Sequence, residues 1–312
     1  MTDEHGVHTD PAAIAELVAV AESEHAQVAA DGSVAGYRAS RTLRLGVELR
    51  RQLRRRRTQF AVAFLGVLPF LLLIAFKAAP SSNSGSRSAS SAFVDLATSS
   101  GLNFAIFALF ASASFLLVVV IALFFGDTIA SEASWSSLKY LLAIPVPRGR
   151  LLRQKAVVSG ILSLIGLVVL PAMALVVGLI WYGSGDLIST TGESLPFGTG
   201  LARLALAVVY LAVYLVWIAG LALLLSVSTD APLGAVGGAV LVSIVSQILD
   251  SITALGDLRD YLPSHYATAW SDLLSADVDW GDMTRGAFSS LAYGAIFMAL
   301  AARRFARKDI TS

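Results

Sequence analysis

Cysteine is missing from all 312 residues. Disulfide scaffolds, thiolate metal sites and cysteine nucleophiles are thereby excluded. Charge is scarce as well: Asp, Glu, Lys and Arg make up 14% of the chain, against about 25% in an ordinary soluble domain. Only four lysines occur, Lys77, Lys139, Lys155 and Lys308, and none follows a glycine. The pattern G-x-x-x-x-G-K-[ST] is therefore absent, and with it any NTPase built on that phosphate-binding loop. The four histidines, His5, His8, His25 and His265, form no H-E-x-x-H pair, so no metal site is assigned. A net charge of +1 excludes a strongly basic nucleic-acid binder as a description of the whole chain.

What fills the chain instead is apolar. Hydrophobic residues make up 56%, and they come in blocks. A membrane helix needs about 20 mostly apolar residues, and six blocks qualify: Gln59 to Ala79, Leu102 to Phe125, Ala156 to Tyr182, Leu201 to Val227, Leu233 to Leu249, and Gly286 to Ala302. Eighteen of the 23 Lys and Arg fall on one side if both termini lie inside, which fixes that orientation by the positive-inside rule. The outer side keeps Lys77, Arg87, Arg203, Arg259 and Arg285, with Lys77 placed to snorkel to the headgroups. The expected fold is an all-α membrane protein with six transmembrane helices and both termini cytoplasmic. The excess of Arg over Lys, with abundant Ala and Gly, points to the inner membrane of a bacterium with a GC-rich genome.

Four regions follow. Residues 1–37 carry seven acids and no Lys or Arg; Asp10-Pro11 opens a helix to about Ala30, and the segment reads either as a docking element or as a marginal tail. No basic n-region precedes a short apolar core, so no signal peptide is expected. Residues 38–58 form a basic amphipathic interfacial helix, with Leu43 and Val47 on its apolar stripe and Arg50 to Arg57 on its cationic face against anionic lipid. Residues 59–303 form the six-helix domain, and 304–312 a basic tail. Ser81 to Ser91 is a Ser-rich linker. Pro69 and Pro171 are expected to kink spans one and three, and Gly234 with Gly238 to allow a close helix approach in span five.

The segment Gly126 to Lys155 carries the most information. Ile129 to Ala143 reads as a short amphipathic helix, with Ile129, Ala133, Leu138, Leu141 and Leu142 near one face and Glu132, Ser136 and Lys139 elsewhere. Pro145 and Pro147 stop it. An acid soon after span two, a helix ending in a Leu pair, a Pro-x-x-Arg turn and basic residues opening span three are here Glu132, Leu141 with Leu142, Pro145 with Arg148, and Arg153 with Lys155. This order resembles the first cytoplasmic loop of ABC type-2 transporter permeases. Where that family has a Gly-Thr or Gly-Ser pair, this chain has Ser134-Trp135-Ser136-Ser137. The interfacial helix, the six spans and the outer loop Asp250 to Arg285, with LPSHYATAW at Leu262 to Trp270, extend the resemblance over most of the chain.

The resemblance implies a half-transporter. Two permeases, identical or homologous, would pair in the bilayer as a dimer, and two copies of a separate ABC ATPase subunit would supply ATP and Mg, with no cofactor and no nucleic acid bound by this chain. The coupling element toward the ATPase would comprise Glu132, Trp135, Lys139, Leu141, Leu142, Pro145, Arg148, Arg150, Arg153 and Lys155. Efflux of an amphipathic or lipid-like molecule would follow by alternating access. A solvated connector is the other reading of this loop. A non-transporting anchor or sensor of the same fold is a second function. An ion-coupled secondary transporter is a third, which mid-span acids and an inverted repeat would favour; neither is seen.

Polar groups inside spans are costly unless paired or wetted. Ser243, Ser246, Gln247 and Asp250 form a stripe in span five, and Phe104, Phe107, Ala111 and Ser114 share a face of span two. Phe107, Ser114, Tyr214, Ser243, Gln247 and Asp250 are the candidate substrate path, with helix-to-helix hydrogen bonding as the other account. Tyr210, Tyr214 and Trp217 form an aromatic stripe suited to packing. Seven Asp against one Arg between Asp250 and Asp282 give an acidic outer loop, able to attract cationic cargo. Gly183-Ser184-Gly185-Asp186 matches the G-x-G-D string of intramembrane aspartyl proteases but falls in an outer turn, so the chain is not read as an enzyme.

Overall fold

The computed structural model describes residues 44–78, 89–134, 147–189, 192–275 and 277–307. The expected Asp10–Ala30 helix, most of the Ser-rich linker, the basic tail beyond Arg307, and Trp135, Lys139, Leu141, Leu142 and Pro145 lie outside these residues. Helices α1 (Leu45–Leu53), α2 (Arg56–Ala78), α3 (Ala89–Ala97), α4 (Gly101–Ala113), α5 (Leu116–Ser134) and α6 (Arg148–Tyr182) come first. A two-residue antiparallel hairpin, β1 (Leu187–Ile188) and β2 (Ser194–Leu195), leads to α7 (Phe197–Tyr214), α8 (Val216–Ser228) and α9 (Pro232–Ser251). Two 3-10 stretches, Thr253–Tyr261 and Ala269–Leu274, precede α10 (Gly281–Ala306).

Six helical segments among the described residues are long and apolar enough to cross a membrane: α2, α5, α6, α7 with α8, α9 and α10. The chain is an all-α multi-pass membrane protein. Its outer faces are apolar, with Phe60, Ile180 and Leu233 exposed, as lipid solvation permits. Inside, Trp217, Phe104, Leu109, Leu170 and Leu211 are fully buried. The expected second span is the pair α4–α5, interrupted at Ser114–Phe115. At 35 residues, α6 is about 52 Å long, well beyond a hydrocarbon core of about 30 Å. It begins eight residues before the expected Ala156 start, so Arg148, Arg150, Arg153 and Lys155 belong to this helix.

Two expectations change. No break separates span two from an Ile129 helix: α5 runs unbroken to Ser134, and Glu132, expected away from the apolar face, is as buried as Ile129. Helices α2 and α6 stay helical through Pro69 and Pro171, the residues expected to kink them. The interruptions lie at Ser114–Phe115 and at Leu215, where no proline stands. The second change concerns Gly234. A Cβ there would meet only its own flank, Ala231 Cβ at 3.6 Å and Thr229 Oγ1 at 4.0 Å, while one at Gly238 would meet Leu225 at 3.1 Å. The closest helix approaches are Gly101 on Gly178, joining α4 to α6, and Gly220 on Gly294, joining α8 to α10.

At the end opposite the Arg-rich helix starts, the outer loop folds back onto the bundle. Trp270 is fully buried, 5.5 Å from the Phe110 ring. Tyr210 donates its hydroxyl to Tyr266 O at 2.7 Å, and Ser246 pairs with Ser264 at 2.6 Å. Arg203 donates to the carbonyls of Leu273 and Ser275. Asn103 holds the hairpin by accepting from Ile188 N at 2.9 Å and donating to Ile188 O at 2.7 Å. The G-x-G-D string is the turn after α6: Gly183 has φ +80°, and its carbonyl accepts from Gly101 N at 3.0 Å. Lys77 sits 5.1 Å from the Trp181 ring centroid, a cation–π contact at the helix end.

Candidate functional site

At the basic end, α1 lies across the extensions of α5 and α6. Its sequence, LGVELRRQL, puts Glu48, Arg51 and Gln52 at three- and four-residue spacing, so they share one face, and Arg55 follows in the bend between α1 and α2. That face turns inward. Val47, expected on the lipid-facing stripe, lies on the outside like Phe60 and Leu233, while Gln52 is buried against the bundle. Part of the basic run meets carboxylates rather than lipid, because α5 carries Asp127 and Glu132. These are the only acids in the sequence between Asp95 and Asp186.

Two ion clusters result. In the first, Lys155 Nζ on α6 lies 2.5 Å from Glu132 Oε1 and 3.3 Å from Glu48 Oε1. Arg51 Nη2 reaches the same two oxygens at 2.6 Å and 2.8 Å. The Lys155 and Glu132 side chains are 3% and 4% exposed, so each charge depends on the other for its solvation. In the second cluster, Arg55 and Arg57 both pair with Asp127, and Arg55 also donates to Ser131 Oγ at 3.3 Å. Thr128 and Ser159 share a 2.7 Å hydrogen bond between α5 and α6, and Ser226 Oγ of α8 accepts from Ile129 N and Ala130 N. With both acids neutralised and these hydroxyls satisfied, α5 continues as buried helix where the sequence alone favours a break.

Burial pushes the Glu48 carboxyl up, but Lys155 and Arg51 outweigh it and hold the group below its usual 4.5. A depressed folded-state pKa stabilises above the unfolded pKa and loses that contribution as pH falls through the folded value. Thermal stability in detergent is therefore expected to stay level from about pH 7 to about pH 5 with respect to this group. Below that it should fall, and Glu48→Gln should reduce the slope of the acid limb. An unchanged limb in the variant would remove Glu48 from the cluster's energetics.

Of the coupling residues foreseen, Glu132, Arg148, Arg150, Arg153 and Lys155 are described. Glu132 and Lys155 face each other inside. Arg148 donates to Ala306 O at 3.1 Å, tying the start of α6 to the end of α10. Arg153 is exposed. The path candidates divide. Gln247 donates to Ser114 O at 3.0 Å and to Ser243 Oγ at 3.2 Å, so these three meet at the interruption in span two. Phe107 packs edge-on to Phe76 at 5.1 Å. Tyr214 is buried, stacked on Tyr210. Asp250 sits three residues beyond Gln247, in the last turn of α9, 2.6 Å from His265 and 3.5 Å from Arg259. Gln247→Leu would leave the Ser114 carbonyl without that donor, an expected loss of about 1–3 kcal/mol. Thermal denaturation checks it, with Gln247→Glu and Ile248→Leu as comparisons.

Sequence reasoning missed Glu48, Arg51, Asp127, Arg55 and Arg57 as members of one site. The available signal was charge balance: two acids in a long apolar stretch, with a basic helix as their nearest source of counter-charge.

These features define a multi-pass helical membrane protein in which the basic helix α1 is tied by ion pairs to the adjoining ends of α5 and α6. The family model for the ABC-2 family transporter protein matches residues 48–237, from α1 into α9, and the chain belongs to that family. It is an ABC transporter permease subunit, the membrane component rather than the ATPase. A comparison with curated proteins finds no match.

Proposed function

We propose that this chain is the transmembrane half of an ATP-driven exporter, moving an amphipathic or lipid-like substrate out of a bacterial cytoplasm with a separate ATPase. The observation carrying this reading is that α5 and α6, the helices on either side of residues 135–146, are joined by one buried cluster. Glu132, two residues before the end of α5, and Lys155, in the second turn of α6, pair with each other and with α1. A force applied to that segment by a nucleotide-driven ATPase would move α1, α5 and α6 together. The interruption at Ser114–Phe115 would let α4, which packs on α6 through Gly101, respond at the outer half of the same span. Such coupling needs a differential contact between two states, and the segment between the two ends is where the family resemblance puts that contact. In this reading the permease works as a pair, and Gln247, Ser243 and Ser114 face the path between the two copies in one of the two states.

The test is purification of the full chain from its native membrane, followed by export into vesicles with whatever ATPase accompanies it. Arg153→Glu is the informative variant. Arg153 is exposed and makes no ion pair with a described residue, so the fold should change by less than about 0.5 kcal/mol. Substrate-stimulated ATP hydrolysis and export should both fall at unchanged expression. If no ATPase accompanies the chain and purified vesicles show no ATP-dependent export, the reading is overturned in favour of an anchor or sensor.

A further inference from the structure

We propose that the cavity between the C-terminal ends of α8 and α10 binds an anionic phospholipid, its phosphate held by Arg303, Arg304 and Arg307 and an acyl chain laid on Leu224, Val227 and Leu300. The two helices touch at Gly220 and Gly294, where a Cβ on Gly220 would lie 2.8 Å from Gly294 O. Beyond this crossing, toward the Arg-rich end, they enclose an open cavity of about 690 Å³, within the size range of small-molecule sites. One wall is apolar and the mouth is cationic. Leu300, Arg303, Arg304 and Arg307 lie at three- and four-residue spacing, so they share one face of α10.

Two features point to a lipid. First, the three arginines are exposed and form no ion pair with any described residue, unlike Arg51, Arg55 and Arg57, which meet carboxylates. Second, the cavity lies where apolar helix surface gives way to charge, the depth at which an acyl chain and a phosphate coexist. The positive-inside rule assigns this end to the cytoplasmic leaflet, where anionic lipids attract basic clusters. A guanidinium fork suits phosphate oxygens better than a lysine would. The site lies largely on α10, outside the residues matched by the family model.

The experiment is native mass spectrometry of the full chain titrated with phosphatidylglycerol, phosphatidylcholine or glycerol phosphate. Phosphatidylglycerol is expected to bind in preference to phosphatidylcholine. The triple variant Arg303→Gln, Arg304→Gln, Arg307→Gln should weaken it about a hundredfold. The equally charged control Arg50→Gln, Arg54→Gln, Arg56→Gln, on the other basic stretch, should leave it at the unmodified level. Val227→Trp fills the apolar wall without touching charge and should weaken the lipid about tenfold, which keeps the test open if the triple variant fails to fold. Because the chain has no cysteine, Ser228→Cys gives a single attachment point for a photo-crosslinker, expected to capture lipid. The proposal is overturned by equal losses in the two triple variants, by binding unchanged in Val227→Trp, by glycerol phosphate competing at the lipid's own concentration, or by cross-links to the acidic residues 1–37 instead of lipid.

Discussion

Glu132→Gln should lower the thermal midpoint of the purified protein by roughly 6–10 °C, the equivalent of about 3 kcal/mol. The substitution keeps the shape of the side chain and removes its charge, which leaves the Lys155 ammonium 3% exposed with only Glu48, at 3.3 Å, as a close carboxylate. Breaking a buried pair costs more than the pair contributes, because the remaining ion is neither hydrated nor compensated. The converse substitution, Lys155→Met, should cost less, because Arg51 still pairs with Glu132 at 2.6 Å. The double variant Glu132→Gln, Lys155→Met should be more stable than Glu132→Gln alone, since it also removes the buried ammonium that the single variant leaves without its nearest carboxylate. A double variant whose loss equals the sum of the two singles would show that the residues do not act as a pair. The same series separates stability from coupling. If the double variant regains the stability of the unsubstituted chain but not ATP-dependent export, the charges transmit motion as well as holding the helices.

The expected architecture was legible because hydrophobic block length and the sidedness of arginine are strong physical signals. Each block corresponds to a helical segment, the second and fourth each broken into two helices, and the two blocks that looked shortest are helices long and apolar enough to cross a membrane, α9 and α10. Boundaries were harder where polar residues continue a helix. Gly126-Asp127-Thr128 reads as the end of a span when each side chain is assumed to meet water. In the folded chain Asp127 meets Arg55 and Arg57, Thr128 meets Ser159, and the backbone of Ile129 and Ala130 meets Ser226. Those partners come from the α1–α2 junction, α6 and α8, distant in sequence, so no local pattern announces them.

The site was half legible for the same reason. Glu132 and Lys155 were singled out from their order along the chain, whereas their pairing depends on two antiparallel helix extensions meeting beyond the bilayer. Helix α1 shows the limit of amphipathicity more directly. Its apolar stripe and cationic face predict an orientation toward lipid, but that prediction assumes that the protein offers no acids to compete. Once α5 supplies two, inward-facing charge is favoured over headgroup contact for Arg51, Arg55 and Arg57. The other arginines of the stretch stay outside.

The helix crossings are the feature least visible in sequence, and they support the second large prediction. Gly178→Ala should destabilise the protein by about 1–3 kcal/mol, and Gly178→Val should prevent recovery of folded protein. A Cβ at Gly178 would lie 2.6 Å from Gly101 O and 2.8 Å from Gly101 Cα, and both are backbone atoms that cannot rotate away. Helix α4 would have to move off α6, breaking the Gly101 N–H bond to Gly183 O and displacing Asn103 from the hairpin it holds. The comparison lies in the same helix. A Cβ at Gly160 would meet only Phe125 Cζ, at 3.9 Å, so Gly160→Ala should gain up to about 1 kcal/mol from helix propensity. Opposite shifts in thermal midpoint for two identical chemical changes in one helix would establish that the α4–α6 crossing, rather than glycine as such, is what position 178 requires. Equal shifts would refute it. Because α4 joins α5 only through the interruption at Ser114–Phe115, loosening this crossing should affect the outer half of the span while the Glu132–Lys155 cluster stays intact. Hydrogen exchange should then rise in Gly101–Ala113 before it rises in Leu116–Ser134.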